Sequence, residues 1–234
     1  MSKVGYALAL ALGFGTPLAA QVGHDPATSP YRPIVARMSI SAVGSYIWGS
    51  SGKVGVGPSD GPGAGLRFEM GLTGPTDVFA AVSWSNLQRL VADPTAPMDS
   101  QFSGPVDMGV LIAETGLVIL LGGEKTWRGL APYVGANLGL GFGQSVPQDS
   151  SGYGFSAKFV SGPLLGARFY LAESIHLRVE GRVQFWKLSY PTSYFLPPPD
   201  HPEDPPILSP VLNSDSEWVT LPTLMVGLGY AFRF

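Results

Sequence analysis

The chain contains no cysteine. That excludes disulfides, a thioether-linked lipid anchor and any metal site built on thiolates. Charge is also scarce. Only 13% of residues are charged, against about 25% in an ordinary soluble domain. Past the N-terminus no stretch approaches ~18 consecutive apolar residues, so no membrane-spanning helix is predicted. The formal net charge is −3 without a basic cluster, which argues against nucleic acid as a partner. Histidine is limited to His24, His176 and His201. Mean hydropathy is nonetheless positive. A chain this apolar needs a place for its apolar surface, and no helical stripe supplies one.

What is present begins with an export pattern. Lys3 precedes the apolar, uncharged stretch Val4–Gly15, and Pro17, Leu18, Ala19 and Ala20 are followed by a predicted cleavage site. This is the arrangement of a secretory signal peptide over 1–20. Residues 21–36 then read as a Pro-containing periplasmic segment, and 37–234 as the folded body.

Eight segments alternate with a period of 2, the period of a strand with two unlike faces. Arg37–Trp48 sets Met38, Ile40, Ala42, Gly44, Tyr46 and Trp48 against Ser39, Ser41 and Ser45. Leu66–Leu72 sets Leu66, Phe68, Met70 and Leu72 against Arg67 and Glu69. Asp77–Leu87 sets Val78, Ala80, Val82 and Trp84 against Ala81, Ser83 and Ser85. In Val106–Leu121 the set Val106, Met108, Val110 and Ile112 alternates, but Val118–Leu121 is continuously apolar. A bulge near Glu114–Gly116 would reconcile the two. Ala131–Gly143 is clean, with Val134, Ala136, Leu138, Leu140 and Phe142 opposite glycines and Asn137. Phe155–Leu171 sets Phe159, Leu165, Ala167, Phe169 and Leu171 against Lys158, Arg168 and Tyr170. Ile175–Leu188 sets Ile175, Leu177, Val179, Val183 and Phe185 against His176, Arg178, Glu180, Arg182 and Gln184. Val219–Phe234 sets Leu224, Val226, Leu228, Tyr230, Phe232 and Phe234 against Gly227, Gly229 and Arg233.

Apolar-out and polar-in alternation over ~10 residues per strand is the pattern of a transmembrane barrel. Long and short connections alternate between the segments, as long extracellular loops and short periplasmic turns do. An even strand number then puts both ends in the periplasm. Aromatics gather toward two levels. Tyr46, Trp48, Trp84, Phe142, Phe185 and Trp218 fall near loop ends; Tyr133, Phe169, Tyr230, Phe232 and Phe234 fall near turn ends. Two interfacial belts are expected of such a barrel. Pro163 calls for a bulge, because a closed barrel has no edge strand to hold it. Pro222 is placed beyond the membrane, and Pro132 merely starts its strand.

The inward set Arg67, Glu69, Lys158, Arg168, Arg178, Glu180, Arg182 and Arg233 lies opposite glycines on other strands. Eight strands enclose a bore just wide enough for side chains to fill. The set therefore reads as a packed ion-pair network, and alternatively as the lining of a narrow ion path. No catalytic set, metal site or cofactor motif emerges. No His, Ser and acid can be placed on a shared rim. Asp200-His201-Pro202-Glu203-Asp204 reads as a solvated acidic loop tip. Gly55–Gly65 reads as a loop and Gly139–Gly143 as inward glycines, since neither follows a strand and opens a helix as a phosphate cradle must. Loop 189–218 carries eight prolines among Tyr190, Tyr194, Phe195, Ile207 and Leu208. Its stiffness and apolar points suit a possible extracellular ligand at low ordering cost.

The ending Gly227-Leu228-Gly229-Tyr230-Ala231-Phe232-Arg233-Phe234 resembles the C-terminal assembly signal of bacterial outer-membrane barrels, carried here by Gly229, Tyr230, Phe232 and Phe234. With the leader and the alternation, the chain resembles the small eight-stranded outer-membrane barrels of the OmpX and OmpA transmembrane-domain type. That resemblance implies an all-β, closed, antiparallel up-and-down eight-stranded transmembrane β-barrel, non-catalytic and without a cofactor. It implies outer-membrane lipid and lipopolysaccharide as surroundings and the barrel assembly machinery as a partner. It also separates two roles for Phe234. As an interfacial aromatic it contributes roughly 1–3 kcal/mol of apolar burial, too little to decide folding. Deleting Phe234 is therefore expected to leave refolding into detergent nearly intact while sharply lowering membrane insertion in cells. Equal, modest losses in both assays would make it a packing residue only.

Overall fold

The computed structural model describes residues 29–233; the predicted leader, His24 and Phe234 lie outside them. The strands are β1 (Tyr31–Pro33), β2 (Met38–Ile47), β3 (Gly61–Gly71), β4 (Thr76–Ala92), β5 (Phe102–Leu120), β6 (Lys125–Trp127), β7 (Leu130–Gly143), β8 (Ala157–Tyr170), β9 (Ile175–Ser189) and β10 (Ser216–Phe232). Two short 3₁₀ turns, Met98–Ser100 and Thr192–Phe195, are the helical content among the described residues.

Eight strands form a ring in the order β2-β3-β4-β5-β7-β8-β9-β10, every pairing antiparallel. The ring closes where β10 pairs back onto β2, from Thr223↔Ile47 to Phe232↔Met38. Closure matters because backbone groups in hydrocarbon have no water to bond. The predicted eight-stranded up-and-down barrel is thus the observed one. Connections at one end are short (72–75, 121–129 and 171–174). Those at the other are longer (48–60, 144–156 and 190–215), apart from 93–101, which equals 121–129 in length. By the rule for such barrels the short turns face the periplasm.

The outer face is apolar and uncovered. Ile40, Leu66, Phe68, Val82, Leu117, Leu138, Leu165, Val179, Val226 and Leu228 are all exposed. The outer aromatic belt is confirmed in Tyr46, Trp48, Trp84, Phe142, Phe185 and Trp218, each exposed. Tyr46 and Trp48 lie with ring centres 5.0 Å apart. At the other level Phe169 and Tyr230 face outward, and Phe232 stacks beside Tyr230 at 6.4 Å.

Several expectations are corrected. Tyr133 is not a belt residue; it is 1% exposed and points into the lumen. Its position shares the phase of Gly135 and Asn137 rather than of Val134. In β5, whose direction the alternation leaves open, Met108, Val110 and Ile112 are buried inside, while Leu111, Leu117 and Ile119 face out. The β4–β5 register runs unbroken from Arg89↔Val106 to Thr76↔Ile119, so no bulge occurs near Glu114–Gly116; the irregularity lies at Arg89/Val91. Both faces of β5 are apolar at its outer end, so periodicity there carries no sign for inside and outside. Gly61–Gly65 is strand rather than loop. A Cβ at Gly65 would strike the Val82 carbonyl, so the close β3–β4 approach accounts for this glycine. Pro163 sits in β8 without a bulge. The pairing with β9 keeps one register on both sides, Ser161↔Phe185 and Leu164↔Arg182, and lapses only between them. Pro222 accepts from the Trp48 N–H through its carbonyl at 2.8 Å, just where the β2 pairing ends. A strand residue aims its N–H and C=O toward the same neighbour, so the missing N–H falls past the ladder.

Every strand of the ring has two partners, and opening it in lipid would strand two edges. The protein extracted from membranes is expected to migrate differently on detergent gels before and after boiling. Identical mobility in the two states would contradict the closed ring.

Candidate functional site

Among the described residues the lumen gathers the largest set of charges out of water. It is built by alternation: β9 alone sends His176, Arg178, Glu180, Arg182, Gln184 and Trp186 inward, all buried. β3 sends Arg67 and Glu69, β4 sends Asp77 and Phe79, β5 sends Glu114, β7 sends Tyr133 and Asn137, and β8 sends Arg168.

Four arginines meet four carboxylates. Arg67 bonds Glu69 at 2.8 Å and Glu180 at 3.1 Å. Arg178 contacts Glu69 closely and Glu180 at 3.6 Å. Arg168 reaches Asp77 at 2.9 Å and Glu69 at 3.3 Å. Arg182 joins Glu180 at 2.5 Å and contacts Glu114 closely. Tyr133 donates to Glu180 at 2.7 Å and accepts from Arg178 at 2.9 Å. Asn137 donates to Glu114 at 2.6 Å. The Arg67 guanidinium lies 3.5 Å from the Phe79 ring centre. Four positive and four negative groups sum to zero, so the cluster can stay ionised without a counterion. Its interaction energy is enlarged by the low dielectric and opposed by desolvation.

Six of the predicted lumen residues, Arg67, Glu69, Arg168, Arg178, Glu180 and Arg182, lie together in this network. Two are not. Lys158 is half-buried near the outer end of β8 and joins none of these ion pairs. Arg233 lies past the end of β10 and is exposed. Its apparent inward phase means nothing once the strand has ended. Asp77, Glu114, Tyr133 and Asn137 complete the network. Correct phasing of β5 from Leu111 and Leu117 would have placed Glu114 inside. Asp77 looked like a strand start.

Gly229 also faces inward. A Cβ there would enter the His176 ring and crowd the Ser41 hydroxyl. This glycine is required by packing around His176, whatever part it plays in assembly. His176 is fully buried, with its ring 5.4 Å from Tyr170.

Above the charges the lumen turns apolar. Ile47, Leu87, Met108, Val110, Ile112, Phe155, Val160, Trp186, Leu188, Val219 and Leu221 form one buried cluster at the outer end. Phe155 and Trp186 pack at 5.2 Å between ring centres. Beyond it the loops fold into a cap. Tyr153, Tyr190 and Tyr194 gather with Val54, Val56 and Leu208. Arg89 pairs with Asp149 at 2.6 Å, both buried. The Ser151 and Tyr194 hydroxyls meet at 3.1 Å. Burial pushes the Tyr153 and Tyr190 hydroxyls up from their ordinary value, and that of Tyr194 up to about 12, so they stay protonated. The loops are tied to their surroundings: the Lys53 N–H donates to Glu217 at the start of β10 at 2.7 Å, and the Met98 N–H to Asp204 of another loop at 3.1 Å. Gly52, at a φ of +73°, lies under Glu217 and Tyr190. Tyr190, Tyr194 and Leu208, expected as contact points for a ligand, are instead buried in this cap. Leu196, Val211 and Leu212 are the exposed apolar residues of that loop. His201 stands 3.6 Å from Glu203. No group of three metal-ligating side chains occurs among the described residues.

A closed ring of eight strands, apolar outside and ion-paired inside, is the architecture of an integral outer-membrane barrel. Among solved structures the chain is similar to Neisserial surface protein A at 14% identity and a TM-score of 0.51, over 83% of this chain and 97% of that one. It is also similar to the outer membrane protein OprG from Pseudomonas aeruginosa, at 13% identity and 0.49, over 85% and 97%. The N-terminal β-barrel domain of OprF from the same organism aligns at 13% identity and 0.44, over 84% and 99%. No protein-family model and no curated protein matches the sequence. The fold is that of the small outer-membrane barrels, as the sequence resemblance implied, and with its bare apolar belt it is an outer-membrane fold.

Glu69 holds three arginines at once, so removing it leaves four buried cations facing three carboxylates and one positive charge uncompensated. Glu69→Ala is expected to lower stability by roughly 3–5 kcal/mol in denaturant unfolding from lipid. Arg233→Ala, by contrast, should stay within ~0.5 kcal/mol of the native protein. Equal effects would show that the lumen pairs contribute no more than surface charge.

Proposed function

We propose that the protein is a non-catalytic, non-conducting integral outer-membrane barrel whose role is structural or lies in surface interaction. It would be exported with the 1–20 leader and inserted by the barrel assembly machinery through Gly229, Tyr230, Phe232 and Phe234. It would stand among lipid and lipopolysaccharide with its loops outside. The observation that carries this reading is the double filling of the lumen. A neutral ion-pair network occupies the inner half, and the apolar cluster around Trp186 and Met108 occupies the outer half. An ion crossing the bore would have to displace both. The supporting neighbour is a surface protein by name, similar in fold.

The narrow-pore alternative makes a contrary demand, a continuous wet path. Purified protein in planar bilayers is expected to show no stable conductance step. The Arg178→Ala/Arg182→Ala double variant should show none either, because the apolar half stays in place. Reproducible steps of one size from the native protein would overturn the proposal in favour of the pore. Any extracellular ligand would meet the rim of the cap through loop 190–215, at Leu196 and Val211–Leu212, rather than at its buried tyrosines.

A further inference from the structure

The segment that precedes the barrel does not leave the mouth by the shortest route. β1 pairs with β6 through Tyr31↔Trp127, Arg32↔Thr126 and Pro33↔Lys125, and β6 pairs with β7 at Trp127↔Leu130. In a ring ordered β2-β3-β4-β5-β7-β8-β9-β10, the strand opposite β2 is β7. Residues 34–37 must therefore run from one wall, across the periplasmic opening, to the other.

The crossing is fastened along its length. The Ile34 N–H donates to the Glu124 carbonyl at 2.8 Å. Ile34 packs on the inner apolar cluster that includes Phe79, Leu120 and Tyr133. Arg37 bonds Glu124 at 2.7 Å on one side, the Gly74 carbonyl at 2.8 Å on another, and Asp77 at 3.2 Å. Gly71 leaves room for it: a Cβ there would overlap the Arg37 guanidinium. Since Asp77 also holds Arg168, Arg37 continues the lumen network to the mouth. Between this segment and the network lies a recess of about 10 Å³, space for about one water.

We propose that residues 31–37 form a strap that crosses and seals the periplasmic mouth, latched by Arg37 onto the turns of β3–β4 and β5–β7. It covers the charged half of the lumen from the side that the apolar cluster leaves open. Its effect is to keep bulk water from Asp77, Arg168 and Glu69, whose pairing weakens as the local dielectric rises.

The native chain has no cysteine, so single thiols can report on access to the mouth in the full protein folded into phospholipid vesicles and labelled with a soluble maleimide. Ser39→Cys lies just inside the strap and Glu173→Cys lies exposed on a turn at the same end. Ser39→Cys is expected to label at least ~10-fold more slowly than Glu173→Cys, as protected interior sites do. Adding Ile34→Ala and Arg37→Ala should bring its rate close to that of Glu173→Cys, while Ser85→Cys, deep in the lumen, stays slow. Rapid labelling of Ser39→Cys with the strap intact would overturn the proposal, and so would slow labelling that the two strap substitutions leave unchanged. Should those substitutions unfold the barrel, a second measurement decides. Arg32→Cys/Thr126→Cys joins facing residues of β1 and β6, and mild oxidation should yield an intramolecular disulfide visible on non-reducing gels. Failure to form it would show that the strap is not seated.

Discussion

The ladder between β10 and β2 is the constraint on which everything else in this molecule depends. A sheet in hydrocarbon cannot leave an edge, because an unpaired N–H or C=O there has no water to turn to. Once Phe232 meets Met38 and Thr223 meets Ile47, the number of strands, the width of the bore and the side of each turn are settled together. Eight strands give a bore that side chains can fill. The filling is then a chemical choice, and this chain makes it in two ways.

The inner half is filled with ions and the outer half with hydrocarbon. Ion pairs removed from water gain little net stability over apolar packing, yet breaking one partner away is costly. Glu69 and Glu180 each serve three arginines, and Asp77 serves Arg168 and Arg37. An arginine that turned away would leave each carboxylate it serves one partner short. The apolar half, by contrast, is held by packing alone, where volume rather than partnership is specified. The barrel is thus fixed in detail at its inner end and by bulk at its outer end.

This difference also explains what could be read in advance. β9 was legible residue by residue, since its inward side chains are mostly charged and its outward ones apolar. So were the outer half of β7 and the inner half of β10, where glycine alternates with leucine. β5 was not, because Met108, Val110 and Ile112 face an apolar lumen while Leu111 and Leu117 face lipid. When both solvents of a strand are hydrocarbon, a period of 2 has no sign. Glu114 is hidden with that phase, and Tyr133 reads as a belt residue from the sequence because it falls near the turn end of its strand. The strap was invisible for another reason. Its pairing with β6 joins two three-residue strands about ninety positions apart, and no local pattern encodes a contact of that kind. The loop cap escaped in the same way: the prolines marked a stiff loop, while the burial of Tyr194 and Leu208 depends on partners in other loops.

That cap has a bearing on how the exterior of this protein can change over generations. Exposed loops on a rigid scaffold ordinarily drift one at a time, each free of the rest. Here Gly52 lies beneath Glu217 and Tyr190 of the adjoining β9–β10 hairpin, Met98 is tied to Asp204, and Lys53 to Glu217. Substitutions at touching positions do not add. An altered residue in one loop would alter which residues its neighbours can accept, so lineages should diverge by correlated sets of replacements, with the apolar residues Val211 and Leu212 among the few free to vary singly.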